Sequence, residues 1–136
     1  MMPTDPFVEA PATASLTVVP GGVLAALAYT WEHPTDGHQE GLLAFGPGSE
    51  VDTLTALWGD SWHQQPAPIS MSGTASGDWI ELAAEYGGGW RWQITVRTRE
   101  ASGLTMQMDN VVPADQATPD VSAGPYAAML MELQRG

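Results

Sequence analysis

The chain has 136 residues, with 16 acidic side chains, four arginines and no lysine, which gives a formal net charge of -12 and a pI near 4.2. Such an acidic surface repels phosphate backbones and anionic lipids, so the charge argues against binding to nucleic acid or to a membrane surface. The length predicts one domain, the apolar content of 43% excludes a disordered chain, and the lack of cysteine excludes disulfides, thiolate metal sites and cysteine nucleophiles.

Short runs with a two-residue apolar period predict β-strands in the first half of the chain. Residues 1–11 contain three prolines and predict an arm or an edge strand. Asp36-Gly37 favours a tight hairpin, because both residues tolerate positive backbone angles. The predicted strands here cover residues 13–19, 23–33, 38–45 and 51–63.

The second half continues the same pattern. Residues 90–99 alternate most cleanly, with Trp90, Trp92 and Ile94 on one face. The last run, residues 126–135, has helical propensity, but its place after eight strands favours a closing strand. The predicted strands of this half cover residues 69–73, 79–86, 90–99, 104–112 and 126–135.

About nine short strands joined by turns predict an antiparallel meander. Closure of such a sheet removes its exposed edges. We therefore predict an all-β fold, a single antiparallel up-and-down β-barrel of about eight to ten strands, lipocalin-like or calycin-like, as one domain over residues 12–136. The interior of such a barrel is either filled by side chains or holds one small ligand.

Three sequence blocks resemble an uncharacterised bacterial family of unknown function, the fifteen-seventy-nine domain-of-unknown-function family. They are Asp-Ser-Trp-His at residues 60–63, Gly-Trp-Arg-Trp at 89–92 and Met-Gln-Met-Asp-Asn-Val-Val-Pro at 106–113. The resemblance implies a lipocalin-like (calycin) barrel and brings no established activity. Family members often begin with a strand bearing Gly-x-Trp, which residues 1–11 lack. This difference leaves three arrangements open: a barrel open at that point, closed by the arm, or completed by a partner.

No targeting segment is recognised in the sequence. The first six residues carry no positive charge, and the apolar residues 23–28 are too few to span a bilayer. We therefore expect a soluble, cytoplasmic protein. The composition, rich in Ala and Gly and without lysine, is typical of a bacterium with a GC-rich genome.

The stretch from Trp58 to His63 concentrates the most chemistry in the chain. Asp60, Ser61 and His63 are the side-chain types of a catalytic triad. In an extended strand, however, Asp60 points away from Ser61 and His63, and no Gly-x-Ser-x-Gly elbow compensates. We therefore favour a structural role at a strand end, with a ligand contact by Trp62 or His63 as the main alternative and catalysis as the weakest.

The histidines suggest a metal site only weakly. His33 and His38 flank a four-residue hairpin tip, but zinc normally requires a third protein ligand. Glu32 or Asp36 would have to serve, and solvated hairpin residues look the same. We predict a solvated tip and neither metal nor cofactor.

Six tryptophans are enough to dominate a core of this size, since each buries roughly 150–250 Å². They either fill the barrel or line an apolar pocket. The candidate ligand-binding residues are Tyr29, Trp62, His63, Trp90, Arg91, Trp92 and Met106. Arg91, Arg97 and Arg99 share one strand face. We expect cross-strand pairs between these arginines and Glu81 and Glu85; an Arg91 facing the lumen would instead favour a carboxylate ligand.

The function predicted from sequence is a soluble β-barrel that binds a small apolar or amphipathic molecule, and a binding protein is favoured over an enzyme. The alternative is a side-chain-filled interaction module that forms a homodimer. An enzyme that uses His63 and Asp60 as acid and base is the third hypothesis.

Overall fold

The structure, a computed structural model, describes residues 9–99 and 103–134. Residues 1–8 of the predicted arm and the side chain of Arg99 lie outside this part. Residues 9–11 carry no regular secondary structure before the first strand.

In these described ranges, nine strands follow one another in an antiparallel, up-and-down order. This is the topology of a lipocalin-like β-barrel, and it confirms the predicted all-β class. Within the described residues the only helical element is a short 3₁₀ turn at Ala114–Gln116. The strands are β1 (Ala12–Val18), β2 (Ala25–His33), β3 (Gly37–Pro47), β4 (Thr53–Asp60), β5 (Ile69–Ser76), β6 (Trp79–Gly87), β7 (Trp90–Arg99), β8 (Gly103–Val112) and β9 (Gly124–Gln134).

The final strand settles the ambiguity at the end of the chain. β9 pairs with β8 along its length, with one register shift between Met108 and Asp109. The prediction of a closing strand is therefore confirmed for residues 126–134, while residue 135 lies outside the described residues, and the helical propensity of the run is overridden by sheet pairing.

The strands form two compact units, one ending at Thr74 within β5 and the other beginning at Ala75. In the first unit, the register places Leu27, Leu43 and Trp58 side by side on β2, β3 and β4. Their relative exposure is at most 1%. Burial of each such side chain contributes roughly 1.5–3 kcal/mol, so this row is a main source of the unit's stability.

The second unit has a matching row. Leu82, Ile94 and Met108 are register neighbours on β6, β7 and β8, and all three are fully buried. The predicted apolar face of β7, from Trp90 to Val96, is the face that contributes to this core. The alternation of apolar and polar side chains along β7 is enough to predict which face is buried.

The arginines on the other face of β7 behave differently from the prediction. Arg91 is the register neighbour of Glu85, yet the described residues include no ion pair between an arginine and a carboxylate. Glu85 accepts a hydrogen bond from the amide of Gly89 at 3.1 Å, and Arg97 lies 4.7 Å from the ring centre of Trp79. The expected Arg–Glu pairs are therefore wrong for these residues, because a turn amide and an aromatic ring take their place.

In the part of the chain that the structure describes, no helix combines the length and the apolar character needed to cross a membrane.

Candidate functional site

Strand β4 ends at Asp60, because this carboxylate turns the chain. Asp60 Oδ1 accepts hydrogen bonds from the backbone amides of Trp62 (3.1 Å), His63 and Gln64 (2.9 Å). Aspartate commonly binds the amides that follow it in this way, in competition with the sheet ladder. The predicted extension of the strand to residue 63 is therefore wrong.

The same turn brings Asp60 and His63 together, which the strand alternation excluded. His63 Nδ1 lies 2.8 Å from Asp60 Oδ2, and their side chains are 4% and 0% exposed. Since an ionised carboxylate only accepts, Nδ1 carries the proton of this hydrogen bond. The expectation that the two residues point to opposite faces is corrected by the end of the strand at Asp60.

Two further buried groups join this network, Tyr29 from β2 and Trp58 from β4 itself. The Tyr29 hydroxyl donates to Asp60 Oδ2 at 3.2 Å and accepts a hydrogen bond from Trp58 Nε1 at 2.7 Å. We call Tyr29, Trp58, Asp60 and His63 the Asp60 network. Asp60 thus accepts five hydrogen bonds, three from amides and two from side chains, so its buried charge is fully compensated.

The electrostatics of the network follow from burial and hydrogen bonding. Burial opposes ionisation of Asp60, but the hydrogen bond and attraction of His63, together with the amides of Gln64 and Trp62, outweigh it and lower the pKa of Asp60. Burial, reinforced by the nearby charge of Asp60, raises the pKa of the Tyr29 hydroxyl. At neutral pH the network therefore holds one carboxylate and a protonated tyrosine.

Ser61 does not complete a triad with this pair. Its hydroxyl donates to Gln39 Oε1 at 2.7 Å and accepts from the amide of Glu40 at 2.9 Å. The Ser61 amide also donates to the Glu40 carbonyl at 2.9 Å. Ser61 therefore fastens the turn after β4 to strand β3.

Trp62 fastens the turn to the β2–β3 hairpin tip. Its Nε1 donates to Asp36 Oδ2 at 2.9 Å. Its ring stacks on the His33 ring, with 4.7 Å between ring centres, and contacts the His63 ring edge-on, with 4.9 Å between ring centres. His33 Nδ1 accepts hydrogen bonds from the amides of Thr35 and Asp36. The tip residues 34–38 are all exposed, in agreement with the predicted solvated tip, and Trp62 contacts the hairpin through Asp36 and His33.

The described residues contain no group of three potential ligands that could hold a metal ion. His38 Nδ1 lies 2.8 Å from Glu32 Oε1 in an exposed pair.

The candidate ligand-binding residues divide between the two units. Tyr29, Trp62 and His63 come together in the first. Trp90, Arg91, Trp92 and Met106 belong to the second, where Met106 and Trp92 are buried and Arg91 is exposed on the opposite face. Whether these residues bind a ligand stays a prediction.

The second unit also contains a polar network that the sequence did not reveal. The Tyr86 hydroxyl donates to Asn110 Oδ1 at 2.8 Å, and Asn110 Nδ2 donates to the Tyr126 hydroxyl at 2.9 Å. Tyr86 also stacks on Trp92 at 5.2 Å. Burial raises the pKa of Tyr86. These contacts satisfy the buried amide of Asn110, so the network stabilises the unit.

The described residues form an open groove in the first unit, with a volume of about 790 Å³. It lies on the face of β2 and β3 opposite the Asp60 network. Successive side chains of a strand point to opposite faces, so the residues just before and after Tyr29 and Gly41 in sequence point into the groove. The groove is lined by Thr13, Ala14, Ser15, Ala28, Tyr29, Thr30, Glu40, Gly41, Leu42, Gly59, Asp60, Ser61, Gln64, Pro66 and Pro68.

Two rows of side chains cross the strands in this groove. The polar row is Thr13, Thr30, Glu40 and Ser61, joined by the β1–β2 and β2–β3 registers and by the Ser61–Glu40 backbone bond. The second row lies two residues away along each strand, about 7 Å, at Ser15, Ala28, Leu42 and Gly59. We call it the apolar row because Ala28 and Leu42 supply its hydrocarbon surface, although Ser15 at its end is polar.

The loop after β4 forms one wall of the groove. Gly59 has no side chain, and a Cβ placed there would lie 3.3 Å from Pro68 Cα. The Gln64 carbonyl accepts the amide of Asp60 at 3.0 Å, which holds the loop against the strand. Residues 64–68, which contain Pro66 and Pro68, lie between the predicted strands 51–63 and 69–73, but nothing in the sequence showed that they fold back over β4.

Comparison with protein-family models, with curated proteins and with solved structures finds no match to this chain.

Proposed function

We propose that this protein binds a small amphipathic molecule in the groove of its first unit. The observation that carries the proposal is the pair of parallel rows, one polar and one apolar, on the floor of a cavity of about 790 Å³. This volume lies within the range of about 300–1,000 Å³ that is typical of small-molecule sites. An elongated ligand lying across the strands would place hydroxyl or charged groups on one row and hydrocarbon on the other.

The rigidity of the floor supports the proposal. Behind the groove, Gly41 is pressed against Tyr29 and Asp60, and the Asp60 turn fixes the loop that carries Pro66 and Pro68. A site built on paired strands with a hydrogen-bonded wall requires little ordering when a ligand binds.

Leu42→Trp is expected to block the groove, because the larger side chain would occupy the apolar row. Leu42 is 49% exposed, so the fold should tolerate the change. We expect at least a tenfold loss of affinity for a groove ligand, measured by isothermal titration calorimetry with an alkyl ligand such as 1-octanol.

Leu57→Trp is the matched control, since Leu57 is also 49% exposed but does not line the groove. Equal loss of affinity in both variants would contradict the assignment. Native mass spectrometry of the purified protein provides an independent test, because a carried ligand adds mass that disappears on denaturation.

A second candidate function, self-association of two copies, is favoured by a different surface. Leu16, Val18, Val23 and Leu24 are each more than 50% exposed, and residues 10–31 carry no charged side chain in a chain of net charge -12. Exposed apolar clusters of this kind mark association sites. Light scattering at micromolar concentration should give twice 14.4 kDa, and Val23→Asp should restore the monomer. A monomeric mass for the unmodified chain would remove this candidate.

Other expectations from the sequence stay predictions. They are membership of the fifteen-seventy-nine family, a cytoplasmic location, a ligand held by the aromatic residues of the barrel, and acid–base chemistry by His63 and Asp60.

A further inference from the structure

We infer that the ligand of the groove carries a positive charge, that it is an amphipathic amine, and that Glu40 binds its ammonium group. This inference rests on the proposed function, since it names the ligand class of the same groove. It follows from the position of Glu40, from the hydrogen bonds around it and from the charge distribution of the unit.

Glu40 presents the one available carboxylate in the groove. The other acidic lining residue, Asp60, has its carboxylate buried on the opposite face, where five donors already bind it. The Glu40 carboxylate is exposed, and no hydrogen bond or ion pair joins it to another described residue. It is therefore able to accept hydrogen bonds from a ligand without losing a contact within the protein.

The backbone of Glu40 is fixed. Its amide donates to Ser61 Oγ and its carbonyl accepts the Ser61 amide, so the residue is held on both sides within the polar row. Thr30, its register neighbour on β2, is hydrogen-bonded to Thr13 through their hydroxyls at 2.5 Å. An ammonium group on Glu40 would thus have hydroxyl oxygens as its further neighbours.

The surrounding charge favours a cation over an anion. Residues 9–74 contain seven aspartates and glutamates but no lysine or arginine, since the four arginines are residues 91, 97, 99 and 135. No cationic side chain lines the groove. A carboxylate or phosphate ligand would be repelled by the acidic residues of the unit and would find no cationic side chain to bind it. A protonated amine would be attracted by the same acidic residues and would also donate a hydrogen bond to Glu40.

The test uses three ligands with the same chain and different head groups: octylammonium, 1-octanol and octanoate. Binding to the full-length protein is followed by amide chemical shifts of groove residues, which locate the site, and by calorimetry. We expect octylammonium to bind most tightly and octanoate least. Glu40→Gln should weaken octylammonium binding about threefold to tenfold at low salt, with little effect on octanol.

Glu50→Gln is the matched control, because it removes the same charge from the same unit at a turn outside the groove. An equal effect of both variants would overturn the assignment of Glu40. Octanol binding in the groove as tightly as octylammonium would overturn the amine inference and leave the proposed function intact. Shifts away from the groove, or none with any of the three ligands, would overturn both.

Discussion

Asp60→Asn is expected to lower the free energy of unfolding by about 3–5 kcal/mol at neutral pH. The wild-type carboxylate is fully buried and accepts hydrogen bonds from three amides, Tyr29 and His63. An asparagine amide turns one acceptor into a donor, so either the amides or the two side chains lose their partner. Unfolding in urea, followed by tryptophan fluorescence, measures the loss.

The effect should depend on pH, because the pKa of Asp60 is lowered in the folded protein from its ordinary value of 3.8. In the acid range the unfolded chain therefore binds the proton more tightly than the folded chain does. The stability contributed by the carboxylate is complete above about pH 5 and is lost as the pH falls through the folded pKa. The stability difference between wild type and Asp60→Asn should accordingly narrow from pH 5 to pH 3.

Asp52→Asn is the control for this prediction. Asp52 lies in an exposed turn with a φ of 63°, a conformation that asparagine also adopts readily. Its replacement should change the free energy of unfolding by less than about 0.5 kcal/mol. If Asp60→Asn were as mild as Asp52→Asn, the Asp60 network would not stabilise the fold.

Asp60 also explains why the fold was predictable from sequence and the site was not. The strands follow from side-chain alternation, which is a local property, and even β9 was assigned by its place in the order of strands. The contact between Asp60 and His63 depends instead on backbone amides that a carboxylate gathers after the strand has ended. Alternation, extended three residues too far, placed the two side chains on opposite faces.

The groove escaped prediction for a related reason. Aromatic residues predict a ligand site on the apolar face of each strand, where Tyr29 and Trp58 lie. The groove is on the other face, among small side chains such as Ala28 and Thr30 that alternation marks only as solvent-facing. It becomes a cavity because residues 64–68 fold over Gly59. The tertiary position of this loop leaves no periodic pattern in the sequence.

Gly41→Ala is expected to destabilise the protein by about 3 kcal/mol, because the methyl group would point away from the groove into the packed Asp60 network, where there is no room for it. A Cβ at this position would collide with the ring and hydroxyl of Tyr29 and would lie 2.7 Å from Asp60 Cβ. Tyr29 is 1% exposed and is held by Trp58, so it cannot move aside cheaply. The free energy of unfolding in urea gives the measurement.

Gly59→Ala is the control, because it shows what it costs to replace a glycine in these strands by alanine without the collision with Tyr29 and Asp60. On the opposite face of β4, its nearest neighbour would be Pro68 Cα at 3.3 Å, so the cost should stay below about 1 kcal/mol.

A double-mutant cycle identifies the residue with which the methyl group of Gly41→Ala collides. Tyr29→Leu removes the atoms that collide, and in that background Gly41→Ala should cost about 2 kcal/mol less than in the wild type. An unchanged cost would show that Tyr29 is not what requires glycine at position 41. The reduced cost would mean that glycine is needed there so that the buried tyrosine and aspartate can pack directly behind the groove.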